Sequence, residues 1–300
     1  MKDIRKGILY MLLSAVGLSF FGLFVKLGTA SLSFFFLTFL RFFVPFLLVL
    51  PYVLWKVGIP KFSQLGNFRL QLGRVGCIIV YQYGIFYYLT KSSLLDATVL
   101  QNTAPFFIPL LEKIFLGHRI KKELILGMII SFIGVLFILR PNHGIIGWVS
   151  IIGLIAALGQ AGSQFFFGMQ SRAEKQETNL FYLFFFSSIV SFILFFVFAF
   201  FEQGVAFEID SLVHVDDKFY IYLVALGLAS ISNQSFRGVA YRYARPGILA
   251  PMLYFSVLVS GLLDWAVFHH LPDRWVTMGA ILVVLGGIIP YIQRKVKEQN

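Results

Sequence analysis

The sequence predicts an all-α integral membrane protein of about ten transmembrane helices, arranged as two inverted five-helix repeats. Three observations lead there. Hydrophobic residues make up 58% of the chain and charged residues 13%, with a mean hydropathy of +0.82, whereas a soluble domain is about one quarter charged. Apolar stretches long enough to cross a bilayer recur along the whole length. And one stretch occurs twice: Ala97 through Pro105 and Phe115-Leu116-Gly117-His118 to Gly127 and Gly134, then Leu249 through Phe268-His269-His270 to Gly279 and Gly286.

One offset of about 152 residues lays His118 on His270, Gly127 on Gly279, Gly134 on Gly286 and Glu112 on Asp264. The copies divide the chain into a first half, 1–140, and a second, 141–300. A spanning helix needs about 20 mostly apolar residues. The first half offers 7–25, 33–54, 70–89, 94–116 and 124–139; the second offers 148–169, 180–201, 219–243, 247–268 and 275–292. Only the connections 55–69 and 202–218 exceed a few residues, which leaves little mass outside the bilayer for a catalytic or sensory domain.

Orientation follows from Lys and Arg in the short loops. With the amino terminus inside, Lys2, Arg5, Lys6, Lys56, Lys61, Arg69, Arg119, Lys121, Lys122, Arg172, Lys175, Arg242, Arg245, Arg294, Lys295 and Lys297 fall on the inner side. Lys26, Lys91, Arg140, Lys218 and Arg274 fall outside. Both termini are then cytoplasmic. Five helices per half is an odd number, so the second half is upside down relative to the first.

Other classes are excluded on composition. The net charge of +11 lies in loops between apolar spans and does not indicate nucleic acid. Cys77 is the only cysteine, which excludes an internal disulfide and a multi-Cys metal site. The five His show no metal spacing, no Walker motif is present, and no cofactor is expected. The first apolar stretch is long and lacks an A-x-A site, so no cleavable signal peptide is expected. Most of the 36 Phe read as lipid-facing bulk.

The residues also carry a resemblance. The first half has Ser14-Ala15-Val16-Gly17, Phe24-Val25-Lys26, Phe39-Leu40-Arg41, Leu72-Gly73-Arg74, Ser92-Ser93, Ala97, Pro105 and Phe115-Leu116-Gly117. The second has Tyr241-Arg242-Tyr243-Ala244, Ala250-Pro251, Tyr254, Trp265, Leu271-Pro272-Asp273 and Gly279-Ala280. In order and spacing these motifs resemble the drug/metabolite transporter superfamily, in its ten-helix EamA-like branch, over nearly the whole length. The resemblance implies two EamA-like repeats, a cell inner membrane location, and a small-molecule substrate, with amino acids or their derivatives favoured. His118 and His270 stand where the family usually has Glu.

Ionisable and amide groups at membrane depth are costly and mark candidates for function. Arg41 reads as an anion contact or a gate, against a structural tie to a helix-end carbonyl. Asn233 and Arg237 share a face at i,i+4, which reads as the lining of a wet cavity. Gln160 and Gln164 are also i,i+4, and line a cavity or join helices. Gln82, Gln101 and Asn102 carry the same two readings; the resemblance tilts Gln101 or Asn102 toward substrate. Tyr81 and Tyr254 stack on a substrate or pack in the core. Glu112 and Asp264, near opposite ends of equivalent helices, read as opposite gates, as a proton-coupling site, or as acids reaching for the interface. Lys26 can snorkel at its helix end and is a gate candidate by resemblance. The glycine pairs Gly127/Gly134 and Gly279/Gly286 line helix faces for packing, which allows a homodimer through them.

The favoured function is a secondary transporter working by alternating access, with proton coupling, exchange with a counter-substrate and facilitated diffusion all open. The rivals are an intramembrane lipid-modifying enzyme, for which no nucleophile–base set is visible, and a structural or assembly subunit, which predicts no polar cavity.

Overall fold

Away from water, only a helix or a closed barrel satisfies every backbone N–H and C=O, and the long apolar runs here fold as helices. The computed structural model describes residues 3–28, 33–58, 68–92, 94–139, 148–202, 217–269 and 274–299, and these contain helices and turns but no strand. The first half forms α1 (Ile4–Gly28), α2 (Phe34–Val57), α3 (Phe68–Leu89), α4 (Leu94–Gln101), α5 (Ala104–Leu116) and α6 (Lys122–Leu139). The second forms α7 (Trp148–Ala173), α8 (Gln176–Glu202), α9 (Asp217–Tyr243), α10 (Pro246–Leu249), a 3-10 turn (Ala250–Tyr254), α11 (Phe255–Phe268) and α12 (Arg274–Gln299).

Six segments among the described residues are long and apolar enough to cross a membrane: α1, α2, α6, α7, most of α8, and the run Pro246–Val267. The chain is a multi-pass membrane protein. Helices α3 and α9 are 22 and 27 residues long but interrupt their apolar character with Gln71, Arg74, Gln82, Asn233, Gln234 and Arg237. These polar residues turn inward: all but the half-buried Gln234 are buried. Apolar side chains such as Ile193, Ile221 and Ile281 stay on the outside, which suits a bilayer and not water.

The span expected over 94–116 is broken. Residues 102 and 103 form a turn between α4 and α5. Pro105 explains it: the ring has no N–H and would clash with the carbonyl four residues back, that of Gln101, where α4 ends. Polar side chains patch the opened ladder, with Asn102 Nδ2 donating to Thr98 O at 2.8 Å and Thr103 Oγ1 to Leu100 O at 2.6 Å. The span expected over 247–268 is interrupted in the same way by the 3-10 turn, with Pro251 in its first turn. There Ser256 Oγ donates to Leu253 O at 2.7 Å and Ser19 Oγ, from α1, to Ser256 O at 2.9 Å. Adding the offset of about 152 to residues 102–103 lands on 254–255, so the two breaks fall at matching register.

The most extensive helix contacts pair α1 with α9, α6 with α12, α3 with α7 and α2 with α8. Lipid tails are as apolar as leucine, so close packing and polar contacts hold such pairs together. At α6 and α12 the glycines do this. A Cβ on Gly134 would sit 2.6 Å from Gly279 O, and one on Gly286 would sit 2.5 Å from Gly127 O. The four glycines therefore meet within one chain, as expected of glycines that line helix faces for packing. The α2/α8 seam is aromatic. Phe36 lies 5.1 Å from Phe195, Phe35 4.1 Å from Phe198, and Phe46 5.6 Å from Phe181, between ring centroids. Each such pair adds about 0.5–1.5 kcal/mol beyond its area. These rings pair across the α2/α8 seam, and Phe198 also stays 39% exposed on the outside.

Candidate functional site

Helix α2 enters from the end of the bundle where α1 finishes, and α3 starts at the other end. Arg41 lies seven residues into α2, about 10 Å from the first end. It is half-buried and its guanidinium stacks over Phe21 at 4.6 Å. Next to it, within electrostatic reach, is Tyr81 at the middle of α3. Tyr81 donates from its hydroxyl to Gln101 Oε1 at 3.0 Å, bridging α3 to the end of α4 just before the break. Tyr81 also faces Arg237 of α9.

Arg237 is 5% exposed. Its Nε donates to Ser14 Oγ at 3.1 Å, and that hydroxyl donates to Asn233 Oδ1, also at 3.1 Å. Asn233 and Arg237 do share a face, but it packs on α1. Asn233 is 5% exposed, and Gly17 lets its backbone approach so closely that a Cβ there would lie 3.0 Å from Asn233 N. The expectation that both line a wet cavity is corrected for Asn233, which is a helix-packing residue. Arg237 Nη2 has no hydrogen-bond partner.

On α7, Gln164 is buried and accepts from Tyr241 Oη at 2.9 Å, a helix-joining bond. Gln160 is half-buried and its Oε1 has no partner. Gln82 is 5% exposed in the bundle. The Asn102 amide bonds its own helix and patches the break, while its neighbour Gln101 joins Tyr81. Tyr254 is fully buried, packed with Val135 and Val283 behind the 3-10 turn; it is a core residue, apart from the Arg41–Tyr81–Arg237 row. An apolar cavity of about 330 Å³ beside Pro251, Met252 and Gly287 touches none of these residues.

The end where α3 begins is closed by a network that the sequence reading did not single out. Arg74, 1% exposed, donates from Nη1 to Asn179 Oδ1 at 2.6 Å and Gln170 Oε1 at 3.3 Å, and from Nη2 to Gln234 Oε1 at 3.1 Å. One side chain thus ties α3 to α7, α8 and α9. It lies 3.5 Å over the Phe167 ring. Gln170 Nε2 donates to Gln71 Oε1 at 2.6 Å, and Asn179 Nδ2 to Glu174 Oε2 at 3.4 Å. Arg242 donates to the carbonyls of Ser171 and Glu174, and Arg172 to that of Tyr241. The available signal was Gln71 and Arg74 at i,i+3 in an otherwise apolar helix.

Glu112 belongs to this end. It is 5% exposed and accepts from Gly247 N at 3.1 Å, so α5 is latched to α10. The cations that act on it are Arg245 and Arg172. His118 Nδ1 lies 3.9 Å from Glu112 Oε2. Burial, and then the charges of Arg245 and Arg172, push the His118 imidazole below its ordinary value, so it is neutral at pH 7. At the opposite end Asp264 of α11 pairs with Lys26 of α1 at 2.8 Å. These two were singled out separately; the fold brings them together. His270 lies outside the described residues.

Comparison with known proteins agrees with this architecture. Residues 5–140 match the EamA-like transporter family. The chain is 24% identical over 287 residues to a pseudopaline exporter of Pseudomonas aeruginosa, covering 95% of each chain. It is 25% identical over 189 residues to a riboflavin transporter of Rhizobium johnstonii, covering 63% of this chain and 59% of that one. A crystal structure superposes with a TM-score of 0.77 over 97% of this chain and 99% of the other at 17% identity, which is a likeness of fold.

Proposed function

We propose that this chain, which belongs to the drug/metabolite transporter superfamily and matches its EamA-like family over residues 5–140, moves a small metabolite across the inner membrane by alternating access. It is a transporter of small molecules and not an enzyme. Amino acids or their derivatives are the favoured cargo. The working parts are two inverted five-helix repeats, 1–140 and 141–300, with both termini cytoplasmic.

One observation carries the mechanism. Ser131 Oγ donates to Val283 O at 3.3 Å, and these two positions are one repeat offset apart. Gly134 meets Gly279 and Gly127 meets Gly286, so the glycines pair crosswise. Equivalent residues that meet each other, with their neighbours exchanged, are what a two-fold axis through the α6/α12 seam requires, and this supports the inverted repeat. The remaining pairs obey it too: α1 with α9 corresponds to α7 with α3, and α2 pairs with its own counterpart α8. Inverted halves of this kind hold a site at their interface and rock around it. The Arg41–Tyr81–Arg237 row lies there, with Gln101 beside it and Gln160 on α7.

The two ends are closed unequally. Glu112 and the Arg74 network close the cytoplasmic end through buried bonds, and Lys26 with Asp264 closes the outer end through an exposed ion pair. Flux of metabolites into vesicles containing the purified chain, at set pH gradients, tests the proposal. Saturable, gradient-driven flux is expected. No flux for any metabolite in an amino-acid and derivative panel overturns it. An unchanged pH response in Glu112→Gln and Asp264→Asn variants overturns proton coupling through these acids.

A further inference from the structure

Arg237 has a free donor, Nη2, inside a membrane-spanning bundle. An unmet charged N–H away from water carries its full desolvation cost, which a native structure tolerates only for a reason. The ionisable groups that face Arg237 are the Tyr81 and Tyr241 hydroxyls and a second cation, Arg74. Arg41 faces Tyr81 and the Phe21 ring. The carboxylate near Arg74 is Glu174, which accepts from Asn179 at the closed end of the bundle. Glu112 is held by Gly247. Among the described residues, the row from Arg41 through Tyr81 to Arg237 therefore contains two guanidinium groups and no carboxylate.

Buried arginines are ordinarily paired, because an isolated charge in a dry site is expensive. The planar guanidinium fork matches a carboxylate better than any neutral acceptor. An amide acceptor, Gln160 Oε1, is also without a partner. It supplies a place for a donor on the same ligand. Arg41 and Arg237 lie about 10 Å from opposite ends of their helices, with Tyr81 between them near mid-depth.

We propose that the transported molecule is net anionic, with more carboxylates than ammonium groups, and that Arg237 Nη2 receives one carboxylate while Arg41 provides the second positive pole. This rests on the transporter reading and narrows its cargo from amino-acid derivatives in general to acidic ones. Tyr81 is the positioning residue between the two cations, held by Gln101.

The test uses the full-length purified chain and matched probes that differ in charge but little in shape: glutamate against glutamine, N-acetylglutamate against its amide, and citrate. Binding is read by thermal stabilisation and calorimetry. At least one acid is expected to bind, its amide is not, and Arg237→Gln weakens the acid roughly tenfold to a hundredfold, or about 1.4–2.8 kcal/mol. Arg237→Lys retains part of the affinity. Glutamine can still donate to Ser14, and gel filtration with circular dichroism checks its fold; if that variant does not fold, Arg41→Gln and the acid–amide comparison on the native chain decide. Equal binding of acids and amides, binding of none of the probes, or native affinity in a folded Arg237→Gln overturns the anionic cargo. Vesicle flux separates the two levels. Transport of glutamine as fast as glutamate removes the anion inference and keeps the transporter, whereas acid binding without any flux removes the transporter and keeps the anion site.

Discussion

Arg74 illustrates how a single side chain can hold an end of a helical bundle shut. Its partners are neutral amides from three other helices, so no strong local ion pair competes with the shared network, and each hydrogen bond to a charged group contributes about 1.5–3 kcal/mol. Arg74→Ala leaves Gln170, Asn179 and Gln234 facing a void. Each amide left unsatisfied costs about 1–3 kcal/mol, and the loss is read as a lower Tm in detergent. Arg74→Lys recovers the charge but not the fork and should be intermediate. His118 makes a smaller, pH-dependent contribution. Its imidazole is harder to protonate in the folded chain than in the unfolded one. The unfolded state therefore binds more protons as pH falls through the ordinary histidine range, and stability declines toward acid. His118→Asn should flatten that acid-side slope and leave the Tm at pH 8 unchanged. The effect is modest, because a ring one-third exposed is screened by solvent.

At the scale of elements, the glycine seam makes a sharp prediction. Gly134 and Gly279 lie against each other's carbonyl oxygens, where an added Cβ would approach to 2.6 and 2.5 Å. Gly134→Ala and Gly279→Ala should each lower the Tm by an amount corresponding to about 1–3 kcal/mol of overpacking. Their effects should be similar in size and less than additive in the double variant, since one widening of the seam accommodates both methyl groups. Additive losses would place the two glycines in separate environments. This seam was legible in the sequence as glycines two turns apart, recurring at one offset, but which surface they faced was not, because periodicity names a face and not its partner. The helix breaks were half legible. Pro105 and Pro251 marked where a ladder must open, while the patching by Asn102, Thr103 and Ser256 depends on side chains that could equally have faced a cavity. Of the candidate site, Arg41, Tyr81, Gln101 and Arg237 come together as a row. Asn233, Gln164 and Tyr254 do not belong to it, since an amide or hydroxyl that joins two helices has the same spacing as one that lines a pore. The Arg74 network has no local pattern, because its partners lie 96 to 160 residues further along the chain.

For the whole molecule, the proposed alternating access makes the unequal closures set the direction in which its two-state equilibrium is pushed. An exposed ion pair such as Lys26–Asp264, with side chains 55% and 39% exposed, is worth about 0–1 kcal/mol. Removing it shifts the balance of conformations by no more than about fivefold. The buried Arg74 network is worth several times more, so its loss shifts the same balance much further and in the opposite sense. Both can be read on one reporter. Thr178 is 3% exposed beside Asn179, and opening of the Arg74 end is expected to expose it. In a Cys77→Ala background, a Thr178→Cys reporter should react slowly with a water-soluble maleimide. Arg74→Gln should raise the labelling rate more than tenfold, and Lys26→Asp should lower it by up to about fivefold by favouring the other open state. The charge swap Lys26→Asp with Asp264→Lys should restore the starting rate. If Lys26→Asp and Arg74→Gln moved the reporter in the same direction, the two ends would be loosening independently, and the rocking of one half against the other would have to be abandoned.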